Sequence, residues 1–182
     1  MSVAKLSGAG LQIAQQSSGN SQALTSTAAV LGLWSTIGSA EPGAASSQSD
    51  FSVTPDKANN RLVITSPGIY RCTFLATFVQ SVGAVVTARF RKKGTALTTA
   101  PVAKITATTG TNQIKLEAVI AITEADIADG AGIAAFSDPP AGGVVGAGYA
   151  PKTGVALDVD LAAASDGNFV VSDARLAAEK IG

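Results

Sequence analysis

Short apolar runs, each closed by turn residues, constrain this chain more than any other feature of its sequence. Leu62-Val63-Ile64-Thr65 is closed by Pro67-Gly68, and residues 82–91 run into Lys92-Lys93-Gly94. Between them, residues 69–79 are rich in β-branched and aromatic side chains, with Tyr70, Phe74 and Phe78 on one face at strand spacing. Further strands are predicted at residues 29–37, 51–55, 102–106, 113–122, 133–136, 155–161 and 169–178. Loops separate them at residues 38–49, where Pro42-Gly43 supplies the turn, and at residues 137–153. Helical periodicity is scarce. Thr123-Glu124-Ala125-Asp126 suits a single turn before a compact bend at residues 126–130. Residues 174–180 have helix propensity, but Phe169, Val171 and Asp173 alternate with Val170 and Ser172, which favours a strand. Many short strands with Gly or Pro between them predict an all-β sandwich or barrel.

The beginning of the chain reads differently. Its first fifty residues carry only Lys5, Glu41 and Asp50 as charges, and residues 1–23 are dominated by Gly, Ala, Ser and Gln. Such a segment buries too little apolar surface to fold alone. It reads either as a flexible tail or as an arm ordered against a neighbouring subunit by lending it backbone hydrogen bonds. In the second case Leu11 and Ile13 are its candidate contact residues. The expected organisation is an N-terminal arm over residues 1–23 and one β domain over residues 24–182, long enough to bury a core.

Composition then removes whole classes of chemistry. The chain has no histidine, so it carries no histidine general base, no Ser-His-Asp or Cys-His arrangement and no zinc site of the usual kinds. Its one cysteine, Cys72, forms neither an internal disulfide nor a multi-thiolate site, and reads as a small buried hydrophobe. Thirteen basic side chains balance thirteen acidic ones, without the basic excess of a nucleic-acid binder. Charged residues make up only 14% of the chain, so a free monomer has little self-repulsion, and an oligomer or shell subunit is the expected state. No apolar run reaches the roughly eighteen residues of a membrane span, and Met1-Ser2-Val3-Ala4-Lys5 does not begin a secretory leader.

The motifs that remain are weak. Gly143 and Gly148 have the spacing of a phosphate loop, but Tyr149 stands where the lysine belongs and Lys152-Thr153 come too late. Arg89, Arg91 and Lys93 are spaced two apart, which puts Arg89 and Arg91 on one face of a strand and Phe90 on the other. They read as a solvated strand face or as a strip that contacts an anionic partner. Asp158 and Asp160 share a strand face, yet nothing selects them, or any pair drawn from Asp126, Asp129, Asp138, Asp166 and Asp173, as the carboxylates of a glycosidase. No catalytic residue, cofactor or metal is expected.

A family resemblance can be placed on particular residues. The passage Phe51-Ser52-Val53, then Asn60-Arg61-Leu62-Val63-Ile64-Thr65-Ser66-Pro67-Gly68-Ile69-Tyr70-Arg71, resembles the strand, turn, strand and Pro-Gly-x-Tyr sequence of the tumour necrosis factor and complement-globular-head jelly rolls. Ala88-Arg89-Phe90-Arg91-Lys92-Lys93-Gly94-Thr95 is similar to their next hairpin. Leu116-Glu117-Ala118-Val119-Ile120-Ala121-Ile122 followed by Asp126, and Phe169-Val170-Val171-Ser172-Asp173-Ala174-Arg175-Leu176, resemble a later strand and the closing strand. The bend after Ile122 differs in lacking a glycine before Asp126.

The resemblance implies an antiparallel two-sheet jelly-roll sandwich behind the extended arm. It also implies a homotrimer around a threefold axis, with Tyr70, Phe74 and Phe78 lining either the core or that axis. Small, Ala/Gly/Thr-rich, histidine-free jelly rolls with a polar arm look most like virion proteins of tailed bacteriophages. The expectation is a capsid decoration (cement) protein, made in the host cytoplasm and seated on the capsid surface. Its partner would be the major capsid protein, and Arg89, Arg91, Lys93, Leu11 and Ile13 would be its contact residues. Two alternatives stand beside it: a head-fibre or tail-fibre tip that binds host glycans, and a carbohydrate-binding or carbohydrate-hydrolysing jelly roll.

Overall fold

Period-two alternation turns the apolar runs into strands with one buried face, and two such faces close on each other. The computed structural model describes residues 12–16, 23–31, 36–37, 53–56, 61–80, 83–128, 154–164 and 169–182. The strands are β1 (Gln12–Gln16), β2 (Ala29–Val30), β3 (Thr36–Ile37), β4 (Val53–Asp56), β5 (Arg61–Ile64) and β6 (Gly68–Gln80). After them come β7 (Ala84–Lys92), β8 (Thr95–Ala96), β9 (Ala103–Ala107), β10 (Gly110–Ile122), β11 (Val155–Ala163) and β12 (Phe169–Lys180), with one short helix, α1 (Glu124–Ala128).

The strands form two antiparallel sheets. One has the order β10-β6-β12-β1-β3; the other runs β4-β5-β11-β7-β8, with β2 on β11 and β9 on β7. Four pairings explain this order: β1 with β12, β5 with β11, β6 with β10, and β7 with β9. The earliest of these strands pairs with the latest, and each later strand with the one next inward. The chain is therefore one long antiparallel ribbon rolled up on itself, which is the winding of a jelly roll. The fold is all-β, two antiparallel sheets packed face to face.

The core lies between the sheets. From β6 come Tyr70, Cys72, Phe74, Ala76 and Phe78; from β10, Ile114, Leu116, Ala118, Ile120 and Ile122. The opposing sheet answers with Leu62, Ile64, Val86, Phe90, Leu157, Val159 and Leu161. Tyr70 keeps its polar end satisfied at the margin of this layer by donating from its hydroxyl to the Ser66 carbonyl at 2.8 Å. In β12 the inward set begins at Val171 and continues at Ala174, Leu176 and Ala178. The switch from odd to even positions occurs at a register shift between Val171 and Asp173, where one extra residue is accommodated as a β-bulge.

Three local features follow from turn and cap chemistry. Lys93 and Gly94 both have positive φ, 55° and 76°, the pairing required by a two-residue hairpin turn of the primed type. At α1, the Asp126 N–H donates to Thr123 Oγ1 at 3.1 Å while Asp126 Oδ2 accepts from the Thr123 N–H at 2.9 Å. This reciprocal pair is a capping box with aspartate in place of glutamate. The third feature is Gly68, at φ 152°, where an added Cβ would lie 2.6 Å from both the Gly182 carbonyl oxygen and Lys180 Cε. The chain crosses there because the Ile69 N–H donates to Gly182 O at 2.7 Å and the Ile181 N–H donates to Ile69 O at 2.8 Å.

Three expectations from the sequence are answered differently by the structure or fall outside it. The run at residues 29–37, read as one strand, contributes β2 to one sheet and β3 to the other. Residues 12–16, inside the segment expected as an arm, run antiparallel to the chain's own β12. The strand expected at 133–136, the loops at 38–49 and 137–153, and the glycine cluster within the latter lie outside the described residues.

Two substitutions test this packing. Phe74→Ala is expected to lower the unfolding free energy by about 3–5 kcal/mol, the usual cost of emptying a buried aromatic site. Gly68→Ala is expected to cost more than about 1 kcal/mol, because the new methyl group meets backbone at a positive-φ position. Urea denaturation of both variants against the parent chain gives the comparison.

Candidate functional site

The outer face of the β7–β11 sheet carries most of the charged groups singled out in the sequence. Phe90 points into the core and is fully buried, while Arg89 and Arg91 point outward. The antiparallel register sets Asp160 opposite Arg89 and Asp158 opposite Arg91. Arg89 grips Asp160 with a two-pronged fork, Nε to Oδ1 at 3.0 Å and Nη2 to Oδ2 at 2.8 Å. That geometry is the strong form of a guanidinium–carboxylate contact. The hydrogen bond and the neighbouring charge both hold the Arg89 guanidinium above its ordinary pKa, against a smaller opposing effect of burial.

Asp158, two residues away, is served less well. Its Oδ1 lies 3.5 Å from Arg91 Nε but accepts no hydrogen bond, and Arg91 turns its Nε to the Gly94 carbonyl at 3.1 Å. A second contact from Arg91 Nη2 reaches the same carbonyl. Burial therefore dominates at Asp158 and pushes its pKa up to about 6; Arg91 and Arg61 oppose the rise and the Asp160 charge adds to it. Two carboxylates at matching register positions opposite two arginines thus differ in bonding: Asp160 accepts a two-pronged contact from Arg89, while Asp158 Oδ1 accepts none.

Lys92 and Lys93 close the end of the sandwich on α1. Lys92 Nζ lies 3.1 Å from Asp126 Oδ2, and Lys93 Nζ lies 3.5 Å from Oδ1. Ile127 of the same helix packs against the core. Burial alone would raise the pKa of Asp126, but the Thr123 N–H and hydroxyl together with Lys92 outweigh it and bring the value down to about 2. Arg89, Arg91 and Lys93 are thereby each joined to a carboxylate of the same chain.

Tyr70, Phe74 and Phe78 are buried within a single chain, on the core side of β6. The other side of that strand is the surface that remains open. Ile69, Leu75 and Val79 stand out from β6 at 45%, 37% and 46% exposure, and Val119 of β10 reaches 65%. Ion pairs lie among them: Arg71, between Ile69 and Leu75 on β6, with Glu179 at 3.7 Å, and Lys115 with Glu117 at 3.4 Å. This apolar stripe went unread in the sequence because Tyr and Phe outrank their neighbours in size. Strand alternation still carried the signal, since Ile69, Leu75 and Val79 occupy the odd positions of β6. Of the arm residues, Ile13 pairs through its backbone with Ala177, and Leu11 lies outside the described residues.

A cleft of about 460 Å³ opens on the charged sheet. Ser26, Thr87, Arg89, Lys104 and Asp160 supply its polar lining, and Ala28, Val102 and Ala162 its apolar surface. Among the described residues no group of three His, Cys, Asp or Glu side chains is placed to hold a metal ion. The Cys72 thiol is buried, and burial raises its pKa to about 12, so it is no nucleophile at neutral pH.

No family model matches the chain. No curated protein matches it either. Function must therefore be argued from its surfaces.

The two shifted carboxylates give opposite pH dependences. Asp158, at about 6, binds a proton more readily in the folded chain than in the unfolded one, where the value is 3.8. Its contribution makes stability fall as pH rises through that interval. Asp126, at about 2, is depressed, so the stability it confers is present above 3.8 and is lost as pH falls towards 2. Thermal melts of the parent chain and of Asp158→Asn between pH 4 and 7 check the first contribution. The variant is expected to lose the decline in stability between about pH 4 and 6.

Proposed function

We propose that this chain is a structural virion protein of a tailed bacteriophage, a trimeric decoration protein that cements the capsid by bridging neighbouring capsomers. The observation that carries the reading is the set of large apolar side chains on the outer face of the five-stranded sheet. Ile69, Leu75, Val79 and Val119 are left exposed there among charged and polar neighbours, and a partner would take them out of water. Arg71 and Thr73 stand between Ile69 and Leu75 on this face, with Arg71 paired to Glu179, and the chain as a whole has no net charge to keep copies apart. Adhesion between copies is the physical outcome such a surface favours. Jelly-roll winding and the resemblance to tumour necrosis factor and complement-globular-head domains support a threefold arrangement.

On this reading the chain works by multivalent burial. Three identical footprints engage a shell together, so each can be weak while the assembly holds. The major capsid protein is the partner, and residues 1–11 contribute to binding it. A glycan-binding fibre tip is the second reading, and the cleft on the opposite sheet is the observation that favours it.

The test combines mass and binding. Multi-angle light scattering is expected to give three copies per particle. Val119→Lys, at the most exposed large apolar side chain among the described residues, is expected to yield a folded monomer. The trimer is expected to bind expanded empty capsids and raise their melting temperature. Deleting residues 2–11, which leaves β1 in place, weakens that binding. A parent chain that stays monomeric at tens of micromolar, or a trimer that leaves capsid melting unchanged, overturns the proposal.

A further inference from the structure

The cleft on the seven-stranded sheet is a product of register. β7 lies between β11 and β9, so Lys104, Thr87 and Ala162 stand side by side across three strands. Thr87 and Ala162 are short, and Ala28 and Ala162 keep the floor low, while Lys104 rises at one side. The Arg89–Asp160 fork bounds the space, and Val102 adds an apolar wall. Small side chains in the middle of the sheet and long ones at its margin make the hollow.

Its chemistry is specific. Two cations, Arg89 and Lys104, face a single carboxylate, Asp160, leaving one positive charge without a counterpart in the lining. Asp160 takes two of the five N–H donors of Arg89 and holds the guanidinium in place. The remaining donors are pre-oriented for a second anion, which reduces the entropy lost on binding. Thr87, opposite Lys104 in register and two residues from Arg89, adds a hydroxyl to the lining, and the alanine methyls and Val102 offer an apolar surface. A carboxylate on a hydroxylated, saturated ring meets all three features. The volume also falls in the range of small-molecule sites, roughly 300–1,000 Å³.

We propose that this cleft binds an acidic sugar, a pyranose bearing a carboxylate of the hexuronate type. The carboxylate lies between Arg89 and Lys104, ring hydroxyls bond to Thr87, and the C–H face of the ring rests on Ala28 and Ala162. The inference is independent of the trimeric reading, because the cleft and the apolar stripe lie on outer faces of different sheets.

Glucuronate is the probe, with glucose as the neutral control, in ligand-observed saturation-transfer NMR on the full chain. Saturable binding of glucuronate is expected, with no comparable signal from glucose. Lys104→Gln, at an exposed position that leaves folding intact, is expected to weaken binding by about tenfold, the scale of one lost charge-assisted contact. Ala162→Leu fills the floor without altering charge and is expected to abolish binding, and added salt weakens binding in the parent chain. The proposal is overturned by non-saturable glucuronate signal, by equal signal from glucose, or by Lys104→Gln and Ala162→Leu variants that bind as the parent does. Light scattering on the same samples reports the oligomer separately, so failure of one proposal is distinguishable from failure of the other.

Discussion

All thirteen residues of β6 pair with β10 along one edge, and residues 70–80 pair with β12 along the other, so β6 sets the register of the five-stranded sheet's longest strands. A strand held on both edges cannot slip by one residue without turning Tyr70, Phe74 and Phe78 out to solvent and Ile69, Leu75 and Val79 into the core. The aromatic side chains fix which face goes inward, because only that face offers enough apolar volume to fill the space between the sheets. Everything on the outer faces is then set by default, including the exposed stripe. The same alternation that builds the core places Ile69, Leu75 and Val79 on its reverse.

The second sheet shows how register converts a simple sequence pattern into electrostatics. Arg89 and Arg91 on β7 meet Asp160 and Asp158 on β11, and the result is an internally neutral ladder rather than a basic strip. The Arg89–Asp160 fork is rigid and well hydrogen-bonded, whereas Asp158 is buried with an oxygen left unbonded. A buried carboxylate in that position costs stability. The expense is tolerated beside the hairpin turn, where Arg91 is drawn away to Gly94.

How much of this was legible beforehand depends on the range of the interaction. Strand positions, the inward face of β6, the opposition of Phe90 to Arg89 and Arg91, and the turn at Lys93-Gly94 are local, and the residues spell them out. The one helical turn at Thr123-Glu124-Ala125-Asp126 is equally local, since its cap closes over three residues. Partner choice is not. Arg89 and Asp160 lie 71 positions apart, and period-two spacing in each strand says nothing of which strand the other will join. The bulge in β12 was hidden for the same reason, because it exists only relative to β6. The cleft was hidden too, since Thr87, Lys104 and Ala162 come from three strands that only the fold makes neighbours.

The rolled-ribbon winding has a consequence for how the chain acquires its shape during synthesis. β1 must wait for β12, its partner from the far end of the ribbon, and β6 has one edge vacant until the same strand arrives. β12 follows the other described strands in the chain, so the five-stranded sheet closes only once β12 has been made. Until then the nascent polypeptide exposes an unfilled sheet edge, the part of any β protein most prone to pairing with a stranger.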